Sequence, residues 1–215
     1  MIVTSQKPLD EILDYLAPYT KVLIAGCDGC TQPPRGLREA KALSQLLELG
    51  GMLRGKKFEI KTTTVAKQCD SYLTATTLRP QTEDTEAILS LACGLGVQTI
   101  TEVLPDLVTF PAQNSIFVGM EAREKGTFEE WCSACGDCIL ALTGGICPVT
   151  RCAKGLLNGP CGGASNEKCE LNPENDCAWC LIYKRLKKLG KLDVLKEFRP
   201  PRPYRALARP GRYQE

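Results

Sequence analysis

Apolar positions in the first half of the chain follow two rhythms. Leu9, Ile12, Leu13 and Leu16 recur at helical spacing and stop before Pro18, which predicts a short amphipathic helix. KVLIAG (21–26) is an unbroken apolar run with β-branched residues that halts at glycine, as a strand buried on both faces does. Leu37, Ala40, Leu43 and Leu47 share one face of a predicted helix over 35–49, with Gly50-Gly51 read as its stop. FEIKTTTV (58–65) alternates and is β-branched, AILSLA (87–92) is a third apolar run, GVQTITEVL (96–104) reads as the helix after it, and LVTFPA (107–112) as a fourth strand.

Strand and helix therefore alternate, and the predicted fold class is α/β: a small parallel-sheet layer domain over residues 1–125. Beyond it the rhythm fails. Residues 126–195 read as an irregular cysteine-rich metal-cluster domain in which only Ile182, Leu186, Leu189, Leu192 and Leu195 keep a helical stripe, with KRLKK as its solvated face. The last stretch, RPPRPYRALARPGRYQE (199–215), has too many prolines for helix or sheet, so residues 196–215 are expected to form an extended Pro/Arg-rich tail.

Composition changes this picture in one respect. The chain has thirteen cysteines, nine of them from Cys132 to Cys180, and no histidine. Histidine-bearing zinc fingers, histidine-ligated catalytic zinc, Rieske centres and histidine general bases are excluded together. The opening residues lack the basic and apolar regions of a signal peptide, and no apolar run approaches the ~18 residues of a membrane span. A cytoplasmic chain without membrane insertion is expected. In a reducing compartment dense cysteines are metal ligands more readily than disulfides. The net charge of +2 is concentrated in the tail, where six basic residues face two acidic ones over the last twenty positions. The body is slightly acidic and carries no nucleic-acid footprint.

Cys27 and Cys30 follow the KVLIAG strand, Cys69 lies just past the next strand and Cys93 directly follows the third. The carboxyl ends of strands in an open parallel sheet gather on one edge, so these four thiols are expected to converge. Two alternatives stand beside that reading. Cys69 and Cys93 are ordinary buried small residues in one; in the other, Cys27-Asp28-Gly29-Cys30 is a redox dithiol, although Pro33-Pro34 falls where that motif needs a helix.

In the second half, Cys132, Cys135 and Cys138 form a C-x2-C-x2-C run followed by Cys147-Pro148, similar to the bacterial ferredoxin signature but with eight residues before Cys-Pro where that signature has about three. Cys152, Cys161, Cys169, Cys177 and Cys180 follow. Nine thiols supply two four-thiol sites with one left over. Nearby glycines allow tight turns that bring backbone N–H groups toward sulfur. Iron–sulfur clusters and all-cysteine zinc would use the same residues, and both readings stay open.

GGICPVTRCAKGLLNGPCGG (144–163) and KCELNPENDCAWCLIYKRL (168–186) resemble the cysteine-rich C-terminal region of proteins associated with methylenetetrahydrofolate reductase, and VLIAGCDGC (22–30) and LACGLGVQTI (91–100) resemble the α/β part of the same family. The likeness is to the small partner subunit of two-subunit reductases. It implies an iron–sulfur electron-transfer subunit that passes electrons to the flavin of a separate catalytic subunit making 5-methyltetrahydrofolate, in one-carbon metabolism and acetogenesis. Further electron-transfer subunits are an added class of partner. The implied cofactors are two or three 4Fe–4S clusters, with zinc as the alternative for one site. By position the implied ligands are Cys27, Cys30, Cys69 and Cys93 for one site and Cys132, Cys135, Cys138, Cys147, Cys152, Cys161, Cys169 and Cys177 for two more, with Cys180 to spare.

No active site of its own is expected. A flavin-bearing TIM barrel needs about 250 residues, more than the 215 present. There is no Walker loop, and Gly94-Leu95-Gly96 lacks the third glycine of a dinucleotide fingerprint. The rival reading is a zinc-binding structural subunit that stabilises the catalytic subunit without electron transfer. A dithiol redox regulator is the third.

Overall fold

Strand β2 (Lys21–Cys27) is buried along almost its whole length, and the alternation of its side chains explains why. Val22 and Ile24 enter one apolar cluster, whereas Leu23 and Ala25 enter another on the opposite face. Both faces are covered, so both sets of alternating positions must be apolar. These observations come from a computed structural model that describes residues 1–122, 126–201 and 211. The chain divides into two units, Met1–Phe117 and Val118–Glu215.

In the first unit β2 is flanked by β4 (Glu59–Val65) and β5 (Ala87–Ser90), and β5 by β6 (Val108–Pro111), in the order β4-β2-β5-β6. All three pairings are parallel, with Ile24 opposite Thr62 on one side and Leu89 on the other. Helices α1 (Leu9–Leu16) and α2 (Leu37–Leu53) cover one face, burying Ile12, Leu16, Leu43 and Leu47 against Val22, Ile24 and Leu89. Helices α3 (Ser71–Leu78) and α4 (Gly94–Val103) cover the other, with Leu78 and Ile100 against Leu23, Ala25 and Ile88. The helices that follow β2 and β5 thus lie on opposite faces, which makes the crevice between those neighbouring strands a topological switch point.

The α/β class with a parallel sheet is as the sequence predicts, and the C-terminal region is cysteine-rich. Several elements differ from expectation. Gly50 and Gly51 do not stop α2; they lie inside it and are buried. A Cβ at Gly50 would stand 2.8 Å from Leu13 Cδ1, and one at Gly51 2.7 Å from Phe58 Cδ2, so these glycines serve close packing. The helix ends three residues later, with Gly55 at φ +71°. Strand β1 (Ile2–Gln6) pairs in parallel with β3 (Thr31–Gln32), and α3 was not legible because SYLTATTL is rich in β-branched threonine. Asp70 starts α3 by accepting a hydrogen bond from Leu73 N at 3.0 Å.

Strand β7 (Gln113–Glu121) passes from the first unit into the second, where its residues 118–121 pair antiparallel with β8 (Phe128–Cys132) across an irregularity between Val118 and Gly119. The rest of the second unit has little regular structure: a single turn, α5 (Pro148–Arg151), helix α6 (Ala178–Lys188) and two 3-10 turns, Leu140–Leu142 and Leu192–Lys196. Its buried apolar cluster is Trp179, Ile182 and Leu186, with Cys152 and Cys177 packed against it. The predicted stripe breaks at Gly190 (φ +66°), so Leu189 and Leu195 are exposed where Ile182 and Leu186 are buried. Most of the expected extended tail, residues 202–210 and 212–215, lies outside the described residues.

Candidate metal centres

Cys27 is the last residue of β2, and its backbone N–H donates to Arg35 O at 2.7 Å. Cys30 lies in the turn leading to β3. Cys69 precedes Asp70, the cap of α3, and Cys93 is the residue from which α4 starts. The structure brings all four together: they line one cavity of 200 Å³ whose other walls include Ala66 and Ala92. Cys27 and Cys93 are buried, Cys30 and Cys69 exposed. Cys30 is followed by β3 and not by a helix, so the fold lacks the helix a thioredoxin-like dithiol would use.

One side chain that the sequence did not single out organises this edge. Gln68 is fully buried, and its Nε2 donates to Ala25 O at 2.9 Å and Gly26 O at 2.6 Å. Its Oε1 accepts from Ser90 Oγ at 2.7 Å, and its carbonyl accepts from Thr74 Oγ1 at 2.8 Å. Ser90 Oγ in turn accepts from Ala92 N at 3.2 Å. A single glutamine therefore ties together the ends of β2 and β5 through its side chain and the start of α3 through its backbone carbonyl, the segments that carry Cys27, Cys93 and Cys69. A lone glutamine in KQCD gives no sequence signal of that role, since its partners are backbone carbonyls and a serine 22 residues away.

Burial pushes the Cys27 thiol above its ordinary range, the backbone N–H groups of Gln68 and Gly29 pull it part of the way back, and the neighbouring Cys93 and Cys69 push it up again. Without a cation this thiol stays protonated. A bound metal would reverse the balance by ligating the thiolate.

In the second unit, Cys152, Cys161, Cys169 and Cys177 line one small cavity of 20 Å³, walled by Trp179. Local hydrogen bonds fix these cysteines. Cys169 N donates to Asn175 O at 2.9 Å and Cys177 N to Glu167 O at 2.7 Å. Gly163 N donates to Cys161 Sγ at 3.4 Å, a contact reached through Gly162 at φ +82°. The Cys161 thiol also donates to Glu170 Oε1 at 3.4 Å, and Glu170 is paired with Lys154. That ion pair holds the Glu170 carboxyl below the usual carboxylate range, with the Cys161 contact adding to it.

Cys132, Cys135, Cys138 and Cys147 are carried by the end of β8, the loop after it and the residue that starts α5, and β8 and α5 pack on each other. The Arg151 guanidinium sits 4.9 Å from the centroid of the Trp131 ring, a cation–π contact linking the two elements. Ala134 N donates to Cys132 Sγ at 3.4 Å, and Cys135 Sγ to Asp137 O at 3.8 Å. Cys180 does not line the small cavity but a different, larger one, although it neighbours Cys177. Burial raises its thiol, and a hydrogen bond with Cys177 raises it further.

None of the thirteen cysteines is in a disulfide. Among the described residues no group of three or more ligating side chains is already drawn tightly enough to hold a metal ion. The donor sets nevertheless fit thiophilic metals, with four sulfurs per cavity and no competing imidazole, and Arg151 and Lys154 in the wall of the small one add positive charge beside its thiols. Among the described residues no helix is long and apolar enough to cross a membrane.

No curated protein and no solved structure matches the chain. The cysteine-rich half is recognised: residues 110–205 match the family described as methylene-tetrahydrofolate reductase C terminal.

Proposed function

We propose that the chain is the iron–sulfur electron-transfer subunit of a two-subunit methylenetetrahydrofolate reductase, passing electrons to the flavin of the catalytic subunit. The observation that carries this reading is the gathering of four thiols along the 200 Å³ cavity at the switch point of the parallel sheet. That edge is where such sheets bind ligands, and the space exceeds what one ion needs. Cys27, Cys30, Cys69 and Cys93 are assigned to this site. The match over residues 110–205 supports the link to the reductase.

The small cavity supports a division of the remaining thiols. Cys152, Cys161, Cys169 and Cys177 form one set, which leaves Cys132, Cys135, Cys138 and Cys147 as the other. Clusters held at these sites would supply one-electron transfer. The chain's own residues do the rest: Gln68 fixes the segments bearing three thiols, and the backbone N–H groups of Gly163 and Ala134 donate to sulfur, which stabilises negative charge there.

A specific observation favours zinc at one site. A cavity of 20 Å³ has room for about one small ion or water, which suits a single tetrahedral zinc among four thiolates better than a cubane. In that reading the Cys152 set is structural. Iron, acid-labile sulfide and zinc per chain, measured on anaerobically purified protein with EPR before and after dithionite, separate the alternatives. About eight irons or more with matching sulfide and reduction-dependent signals support electron transfer. Zinc alone, with negligible iron, would sink it and leave a structural subunit.

A further inference from the structure

The second unit encloses a larger cavity that no cysteine chemistry explains. Its volume is 720 Å³, inside the range of about 300–1,000 Å³ usual for small-molecule sites. Aromatic rings wall it: Trp179 and Tyr183 from α6, and Phe198 from the segment after the last 3-10 turn. The Tyr183 and Phe198 rings are not spent on the core, being 49% and 81% exposed. Trp179 Nε1 is satisfied by Leu156 O at 3.0 Å, so that ring offers an apolar face and no unmet donor.

The charges in the cavity are unbalanced. Lys184 is paired with Glu167. That leaves Lys187 and Arg199 against Glu197, an excess of one positive charge. Arg199 is held in place by its backbone, with Asn158 Nδ2 donating to Arg199 O at 3.0 Å and Arg199 N donating to Asn158 Oδ1 at 2.8 Å. Its guanidinium Nη1, however, is buried without a hydrogen-bond partner. A desolvated guanidinium nitrogen is costly unless an acceptor meets it, and an anion is the strongest acceptor available to it.

We propose that this cavity binds a flat heteroaromatic ligand bearing a phosphate or carboxylate, with its ring against Tyr183 and Phe198 and its anionic group on the Arg199 guanidinium, helped by Lys187. The site shares Trp179 with the wall of the small thiol cavity but takes its ligand through rings and cations, not through sulfur. Its recognition chemistry is that of a nucleotide-like molecule: a π-face for stacking and a charged oxygen group for a fixed guanidinium.

The test is calorimetric titration of the full chain with adenosine 5′-monophosphate and flavin mononucleotide, each compared with its phosphate-free counterpart, adenosine or riboflavin. Saturable binding of at least one phosphate, at least about tenfold tighter than its counterpart, is expected. Arg199→Gln should remove that difference and leave the phosphate-free ligand unchanged, whereas Tyr183→Leu should weaken both; unaltered circular dichroism guards against misfolding. Equal affinity with and without phosphate overturns the proposal, as does an Arg199→Gln chain that keeps the full difference, or no saturable binding of either phosphate. Binding seen only after residues 202–215 are deleted would make that segment the occupant, and would also overturn it.

Discussion

The two units are held together by opposite means. The first buries an apolar layer on each face of a four-stranded parallel sheet, with Leu23, Ile24, Ile88 and Leu89 fully shielded. The second has a buried apolar cluster of three residues, two of its cysteines packed against it, and long stretches without regular structure. Hydrophobic burial suffices to order the first. In the second, thiol ligation as proposed would supply what a small core cannot, as it does in metal-dependent small domains. A four-thiol site would therefore mean different things in the two places: a receptor carried by a finished scaffold, and a fastening that makes the scaffold.

The sharpest way to break this comparison is to remove metal. Structural zinc contributes about 10–16 kcal/mol to folding in small all-metal domains, so chelation under reducing conditions should strip amide protection from residues 145–190 while β2, β4 and β5 keep theirs. Hydrogen exchange read peptide by peptide decides it; equal loss in both units, or in neither, would refute the contrast. Core truncation sharpens it from the other side. Ile88→Ala should cost the first unit about 3–4 kcal/mol through lost burial and a residual cavity, measured by urea unfolding, and should leave protection in α6 unchanged.

A third change targets the link between scaffold and thiols. Gln68→Leu strands the Ala25 and Gly26 carbonyls and the Ser90 hydroxyl, at a cost of about 2–3 kcal/mol. Metal content should fall by the share of the Cys27 set alone. Within the second unit, Cys177→Ser should lose one site's metal while Cys180→Ser keeps the full complement, because only Cys177 lines the small cavity. Equal loss from both variants would place Cys180 among the ligands.

The smallest effect is electrostatic. Glu86 accepts hydrogen bonds from Thr20 N at 2.6 Å and Lys21 N at 3.0 Å, and the Lys21 and Thr20 N–H groups lower its carboxyl pKa. A depressed carboxyl contributes stability that is present above the ordinary carboxylate range and lost as pH falls through its folded-state value. Glu86→Gln should therefore lower the first unit's stability slightly at neutrality and flatten its acid limb, the two proteins converging as pH falls through the carboxyl's folded-state value. An unaltered slope would show that the carboxylate does nothing there.

Legibility in the sequence followed the same division. KVLIAG and AILSLA announced themselves because strands covered on both faces must be apolar throughout. β1, β7 and β8 did not, since IVTSQ and QNSIFVGME mix buried and exposed positions over short lengths. Gly50-Gly51 misled because a glycine needed for close approach to Leu13 and Phe58 looks the same as one that ends a helix. The convergence of Cys27, Cys30, Cys69 and Cys93 was readable from strand ends alone. Gln68 was not, because its role lies in hydrogen bonds to distant backbone. The grouping of Cys152 with Cys161, Cys169 and Cys177 was equally hidden, since loops carry no period from which spatial order can be counted.

That Cys27 closes the ladder of β2, opposite Val65 of β4, has a consequence in time. A chain leaves the ribosome from its amino end, and domains generally fold as units in that order. Every cysteine of the first thiol cavity has been synthesised once Cys93 has emerged, before the first cysteine of the second unit, Cys132, exists. On the proposed reading, metal would therefore be offered to this protein twice: to an early set of thiols as soon as the sheet that carries them has closed, and to a later set only when the chain is nearly finished.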